Sequence, residues 1–195
     1  MTAHRVSAGF TPAERAEIAE LYWQAFGDKL GRIMGPAPRA LRFIEDVLDP
    51  AHALVARDRQ GALQGVVGFK TYHGALVAGG WREMARHYGW LGSTWRIGLL
   101  ALLERDVENE RFLLDGIFVR PAARGQGVGR ALLEATYAEA AQRGYKEVRL
   151  DVVDSNPRAR ALYEREGFVA LDVHHLGPLR HVFGFNSATT MVRQV

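Results

Sequence analysis

Apolar and polar positions along this chain follow two periods, and the switches between them mark helices and strands. Thr11-Pro12-Ala13-Glu14 supplies a capping residue, a proline suited to the first helical position and an early acid. A helix is predicted to start there and run toward Phe26, with Ile18, Leu21, Tyr22 and Ala25 on its apolar side. A second helix is expected from about Arg39 to Leu48, stopped before Asp49-Pro50. Ala53 to Ala56 and Leu63 to Tyr72 then read as strands, with Asp58-Arg59-Gln60-Gly61 as their turn.

The stretch from Gly74 to Arg111 has a different texture. Gly80 to Tyr88 and Ser93 to Val107 both have helical character, the second with Ile97, Leu100, Ala101 and Glu104 spaced along helical faces. A structureless loop of this length is improbable in a compact domain, so two helices are expected. Trp81, His87, Tyr88, Trp90 and Trp95 crowd the insert. Core packing against the sheet is the first reading of them, with a lid or substrate wall, or a homodimer interface, as alternatives.

Phe112 to Val119 is predicted to be the central strand and Gly127 to Arg143 the helix after it, with Val128, Leu132 and Ala135 on the buried face and Gly144 as its stop. Glu147 to Val153 is the next strand. Asn156 followed by Pro157 opens a short helix closed by Gly167, and strands Phe168 to Val173 and Thr189 to Arg193 complete the sheet. Leu176 to Ala188, with Gly177-Pro178 and Gly184-Phe185-Asn186, reads as a loop.

Composition narrows the function classes. With 195 residues and 48% hydrophobic content, the chain reads as one domain, residues 1–195, around a single core. It contains no cysteine, which excludes disulfides, thiolate metal sites and an acyl-cysteine intermediate. The net charge is +3, and the basic residues are nearly all Arg, with Lys only at positions 29, 70 and 146. No basic block with interleaved aromatics suggests nucleic acid. The most apolar run, Ile97 to Leu103, is too short to span a bilayer, and Met1 to Phe10 carries no signal-peptide core. A cytoplasmic location without a membrane partner is the default expectation. Adjacent His174 and His175 would point to opposite faces of a strand, so no metal site is expected from them or from His181.

The most informative stretch is Asp115 to Arg130, a strand running into the glycine-rich turn Arg124-Gly125-Gln126-Gly127-Val128-Gly129 and then a helix. Glycines let backbone N–H groups converge on an anion, and the helix adds the positive end of its dipole. A phosphate-binding loop of the Walker type needs Lys and then Ser or Thr after its last glycine, and Arg130-Ala131 stand there instead. A dinucleotide fingerprint needs a third glycine at position 130. The surviving pattern, Arg124-x-x-Gly127-x-Gly129, resembles the acyl-CoA pyrophosphate loop of the GNAT superfamily of N-acetyltransferases. The later block from Asp154 to Phe168 resembles that family's second conserved block, at the expected order and separation.

The resemblance implies an α/β, GNAT-like (acyl-CoA N-acyltransferase) fold: a mixed central sheet of about seven strands flanked by helices. Residues 74–111 would be a helical insert between the third and fourth strands, where the family has a short hairpin. It implies acetyl-CoA as acyl donor, with Arg124, Gly125, Gln126, Gly127, Val128 and Gly129 around the pyrophosphate. The two central parallel strands would splay to admit the pantetheine arm, leaving amides of Ile117, Phe118 and Val119 as donors to the thioester oxygen. Asn156 would hydrogen-bond pantetheine, with a plain helix cap as the alternative. Tyr163 would protonate the departing thiolate, with core packing beside Phe168 as the alternative.

Aminolysis of a thioester needs a neutral amine, a polarised carbonyl and a proton for the thiolate, and no metal. Asp115, two residues before Ile117 and so expected on the same strand face, is the first candidate base. A structural or substrate-binding role for it, and Asp151, Glu83 or His87 as base, stay open. Phe26 and Lys29 would face the same region in the resembled fold, though Lys29 also reads as a helix-end cation complementing the dipole. The acceptor is expected to be a small-molecule or peptide amine. The rival reading is a CoA-binding sensor or regulatory module without turnover.

Overall fold

The computed structural model describes residues 4–103 and 111–195. Its elements, in chain order, are β1 (Arg5–Ala8), α1 (Arg15–Met34), α2 (Ala37–Val47), β2 (Ala53–Arg57), β3 (Leu63–Thr71), β4 (Gly74–Ala75), α3 (Trp81–Leu103), β5 (Phe112–Val119), α4 (Val128–Gln142), β6 (Glu147–Val153), α5 (Pro157–Arg165), β7 (Val169–His175), α6 (Arg180–Phe183) and β8 (Ser187–Gln194). One mixed sheet holds the strands in the order β1-β2-β3-β5-β6-β8-β7, with β4 paired to β3 outside that path. Seven strands form the path and the two-residue β4 makes eight. All neighbours are antiparallel except β5 and β6.

Each face of the sheet carries its own apolar cluster. Ile18, Leu21, Phe43, Ile44, Val55, Val66, Met84, Tyr88 and Phe118 pack on the face covered by α1, α2 and α3. Val67, Phe69, Phe112, Leu132, Leu133, Leu150 and Tyr163 pack on the face covered by α4 and α5. Burial of apolar surface on both sides, worth ~25 cal/mol per Å², fixes the strand faces.

Several elements differ from the sequence reading. Helix α1 continues to Met34, eight residues past Phe26. Gly27 does not stop it, because this glycine packs against the Trp23 ring, where an added Cβ would lie 3.1 Å from Cε2. Beyond it Ile33 and Met34 are buried, and that burial outweighs the helix penalty of about 1 kcal/mol for a glycine. Ala25, expected on the apolar side, is exposed. Lys29 therefore lies inside the helix and not at its end. Strand β1, too short for a period to show, closes the sheet against β2. The loop 176–188 contains α6.

The two helices expected in the insert are the halves of α3, broken at Gly89, whose φ of 71° and ψ of 170° are not helical. Because β4 precedes it, α3 lies between the fourth and fifth strands in chain order. Tyr88 is buried and its hydroxyl donates to the Met34 carbonyl at 2.5 Å. The tryptophans are not core: Trp81, Trp90 and Trp95 are 39%, 76% and 45% exposed, with Trp81 and Trp90 edge-to-face at 4.8 Å. The expectation of helix through Val107, including Glu104, lies outside the described residues. No described helix is long and apolar enough to cross a membrane.

A charged anchor fastens the N-terminal segment. Both Glu14 oxygens meet Arg57 of β2, at 2.7 Å each, and the same carboxylate accepts the Thr11 N–H at 2.8 Å. The Arg57 hydrogen bond is the main reason the Glu14 pKa drops to about 2 against the resistance of burial.

Candidate active site

Strand β5 is bordered differently on its two edges. Toward β3 it pairs from Leu113 through Val119. Toward β6 the parallel ladder holds only Phe112 with Val148 and Leu113 with Arg149. Past that point the strands part. Successive N–H groups of a strand point to opposite edges, so among Gly116 to Val119 those turned toward β6 have no ladder partner there. The gap lies between the two apolar clusters and ends at the glycine turn.

That turn is built for backbone convergence. After Val119 the chain makes a short 3-10 turn, Pro121–Ala123, then passes Gly125 and Gly127 with φ of 76° and 84° before α4 opens. A Cβ on either glycine would meet nothing within 4 Å, so left-handed geometry and not packing requires glycine there. The first helical bond at this end runs from Ala131 N–H to the Gly127 carbonyl, at 3.0 Å. The N–H groups of Val128, Gly129 and Arg130 therefore face outward at the positive end of α4. Gly129 serves packing instead: its Cβ would sit 3.2 Å from Leu162 of α5, so the two helices approach closely there. Arg124 donates to the Val119 carbonyl at 3.3 Å and Gln126 to the Ala122 carbonyl at 2.8 Å, each tying the loop to its own entry. A cradle of outward amides, open above the glycines and bordered by Arg124, fits a pyrophosphate.

Helix α5 stands across the gap on β6's side. Asn156 is its cap, accepting the Ala159 N–H at 3.1 Å through Oδ1, which leaves its amide nitrogen as the group able to donate outward. Tyr163 is 6% exposed and packs 5.7 Å from Phe168. Burial, and after it the neighbouring Tyr137, push its phenol pKa well up, so the side chain holds its proton at neutral pH.

Asp115 is where strand reasoning went astray. Gly68 faces Gly116 and Phe69 faces Leu114, so Asp115 is the extra residue of a β-bulge. The bulge breaks simple alternation. Ile117 and Val119 join the α4 side with Phe112 and Leu114, whereas Phe118 joins the α1 side. Alternation therefore does not set the face of Asp115: it is exposed, and its charge reaches Tyr22 of α1, whose phenol is pushed up by burial and then by that charge. Above it lies an aromatic wall of Tyr22, Phe26 and Phe118, with ring separations of 4.7, 5.8 and 6.2 Å. Any side chain at 116 would strike Phe26, 2.6 Å from the Cβ position of Gly116.

Lys29 continues that wall. Its ammonium lies 5.6 Å from the Phe26 ring centre and 5.7 Å from that of Phe185. The turn carrying Phe185 is tied to the β6–α5 turn: the Asn186 side chain and N–H donate to Asp154 at 3.0 and 3.2 Å, and Asp154 N–H donates to Ser187 at 3.0 Å. Sequence reasoning found neither this clamp nor the bulge, both being long-range pairings without a local signal.

The other candidates stand apart from this gap or are engaged elsewhere. Asp151 accepts from Thr190 of β8 at 2.5 Å, His87 pairs with Asp46 of α2 at 2.7 Å, and Glu83 accepts the Gly80 N–H at 3.0 Å as a cap of α3. His174 faces Asp172, and among the described residues no group of three His, Cys, Asp or Glu could hold a metal ion.

Residues 15–168 match the family model described as Acetyltransferase (GNAT) family. A mycothiol acetyltransferase of Propionibacterium freudenreichii subsp. shermanii is 33% identical over 144 residues, which are 72% of this chain and 36% of that protein. One from Beutenbergia cavernae is 46% identical over 56 residues, 29% of this chain and 19% of that protein. The chain thus spans well under two thirds of the length of these curated relatives. In fold it is similar to an N-acetyltransferase from Staphylococcus aureus Mu50, with a TM-score of 0.66 over 97% of this chain and 100% of that one at 16% identity.

Proposed function

The chain belongs to the GNAT acetyltransferase family, and on that premise we propose that it moves an acetyl group from acetyl-CoA directly to an amine acceptor in a ternary complex, as a single domain. The observation that carries this reading is the two-pair ladder between β5 and β6 opening beside the glycine turn. A pyrophosphate fits the outward amides at Gly125 to Gly129 with Arg124 beside them, and the gap accommodates an extended arm reaching toward Asp115.

Acetyl-CoA supplies an activated acyl carbon with a thiolate leaving group. The protein supplies the rest. Unladdered N–H groups among Ile117 to Val119 donate to the carbonyl oxygen as negative charge develops on it. The acceptor nitrogen attacks the carbonyl carbon, the C–N bond forms and the C–S bond breaks. Asp115, on the α1 side of the bulge, takes the amine proton directly or through water. Tyr163, kept protonated by burial, gives a proton to the sulfur. The amide nitrogen of Asn156 holds the pantetheine arm. The aromatic wall of Tyr22, Phe26 and Phe118 excludes water from the acceptor side.

Calorimetric titration with acetyl-CoA, beside ATP and NADH, tests the cofactor. Micromolar binding of acetyl-CoA alone, followed by thiol release in an amine screen, is the expected result. Binding of acetyl-CoA without thiol release from any amine would favour the sensor reading, and no binding would overturn both.

A further inference from the structure

Lys29 is an unusual cation in this chain. It lies within α1, more than a turn before the helix ends at Met34, and between two aromatic rings. Among the described residues no carboxylate pairs with it. Burial lowers its pKa, as expected for an ammonium that has lost water without gaining a counter-ion. The two rings compensate in part, since ring faces attract cations. Neither ring is free to leave. Phe26 is fixed over Gly116 and against Phe118, and Phe185 is 7% exposed on a turn held by the Asp154–Asn186 clamp.

The position matters as much as the environment. Tyr22, Phe26 and Lys29 are spaced by four and three residues, so they form one stripe of α1, and Tyr22 and Lys29 are roughly 10 Å apart along the axis. Asp115 acts on the Tyr22 end of that stripe and Lys29 ends the other. The acceptor wall therefore presents a carboxylate where an amine is to be received and a partly desolvated ammonium further along, with the Tyr22 and Phe26 rings following each other along the same stripe.

We propose that Lys29 binds an anionic group of the acceptor, so that the substrate class is an amine carrying a carboxylate several ångströms from the reacting nitrogen. This rests on the acceptor side being the α1 face of β5, as in the function proposed above. An incoming carboxylate gives Lys29 the counter-ion that no described residue supplies, and the aliphatic part of the acceptor lies on Phe26 and Phe185. A neutral or purely cationic amine gains nothing at this position and leaves the ammonium exposed to aromatic faces alone.

The test uses matched probes, 6-aminohexanoate and 6-aminohexanamide, which differ only in the charge at the far end. With the intact chain and acetyl-CoA, thiol release is expected to give a kcat/KM at least tenfold higher for the carboxylate than for the amide. Lys29→Gln should bring that ratio to about one through KM, and Lys29→Arg should keep most of it. A ratio near one in the unmodified protein, or a ratio that survives Lys29→Gln, would overturn the proposal. A second readout needs no turnover: trace labelling of the three lysines with acetic anhydride in the presence of CoA, with Lys70 and Lys146 as internal references. The carboxylate probe is expected to slow Lys29 labelling at least threefold relative to the amide, and equal labelling would overturn the assignment. Failure to bind or turn over acetyl-CoA at all would instead strike the transferase reading, with the labelling result still standing on its own.

Discussion

Asp154 and Asn186, 32 residues apart, join the turn that opens α5 to the turn that carries Phe185 through three hydrogen bonds of 3.0 to 3.2 Å. One turn belongs to the proposed cofactor side and the other to the proposed acceptor side. Burial alone would raise the Asp154 pKa, but the hydrogen bonds from Asn186 and neighbouring N–H groups outweigh it and leave it lowered. Replacing Asn186 with Ala should cost about 1 kcal/mol, discounted for exposure, or roughly 2–4 °C in Tm for a chain of this size. Acceptor KM should rise while acetyl-CoA affinity changes little. Thermal melts and steady-state kinetics check both halves.

Tyr163→Phe removes a hydroxyl without emptying the packing site beside Phe168. Turnover should fall by about 10²-fold or more, in the range of a lost general acid, while calorimetry shows acetyl-CoA affinity within about twofold. Parallel loss of affinity and rate would assign the residue to packing.

The two neighbouring glycines should respond differently to the same change. Gly127→Val meets no protein atom but forces a left-handed φ on a branched side chain, at a cost of about 1–2 kcal/mol, and covers the outward amides. Acetyl-CoA affinity should drop at least tenfold with the chain still folded. Gly129→Val sits at an ordinary helical position and instead pushes Leu162 away, so its main effect should be a lower Tm.

Glu14→Gln isolates the N-terminal anchor. The Arg57 pairing that lowers the Glu14 pKa from 4.5 to about 2 is fully stabilising above the unfolded pKa and is lost as pH falls toward about 2. Denaturant melts at pH 7 should show a loss of ~2–3 kcal/mol, and the gap between variant and parent should close as pH drops through that window. A gap that persists at pH 2 would mean that the contribution is not electrostatic.

Asp115→Asn should lower kcat/KM at least tenfold at neutral pH and remove the acidic limb of its pH profile if the carboxylate is the base. An unchanged profile with a raised acceptor KM would make it a substrate-binding group.

The individual strands after β1, the order of the later elements and the glycine turn were legible because they rest on local rules, whereas the sheet that joins the strands came from the resemblance. Gly125 and Gly127 stand where φ is positive, and Asn156-Pro157 opens a helix as its chemistry dictates. Features set by distant partners were not legible. Nothing near Gly27 announces that burial of Ile33 and Met34 will carry α1 onward, and so Lys29 read as a helix end. The tryptophans of α3 read as core because their apolar area suggests burial, whereas Trp81, Trp90 and Trp95 are exposed, Trp90 directly after the break at Gly89. Strand alternation assumes an unbroken ladder, and the bulge at Asp115 removes that basis for its face.

With Gly68 opposite Gly116 and Phe69 opposite Leu114, the ladder between β3 and β5 is complete without residue 115. A strand one residue shorter would leave Phe118 among the rings of α1 and Ile117 toward α4, with every pairing intact. Asp115 is thus surplus to the construction of the sheet. What the extra residue adds is a local bend in β5, at the end where it leaves β6, and a carboxylate at that bend.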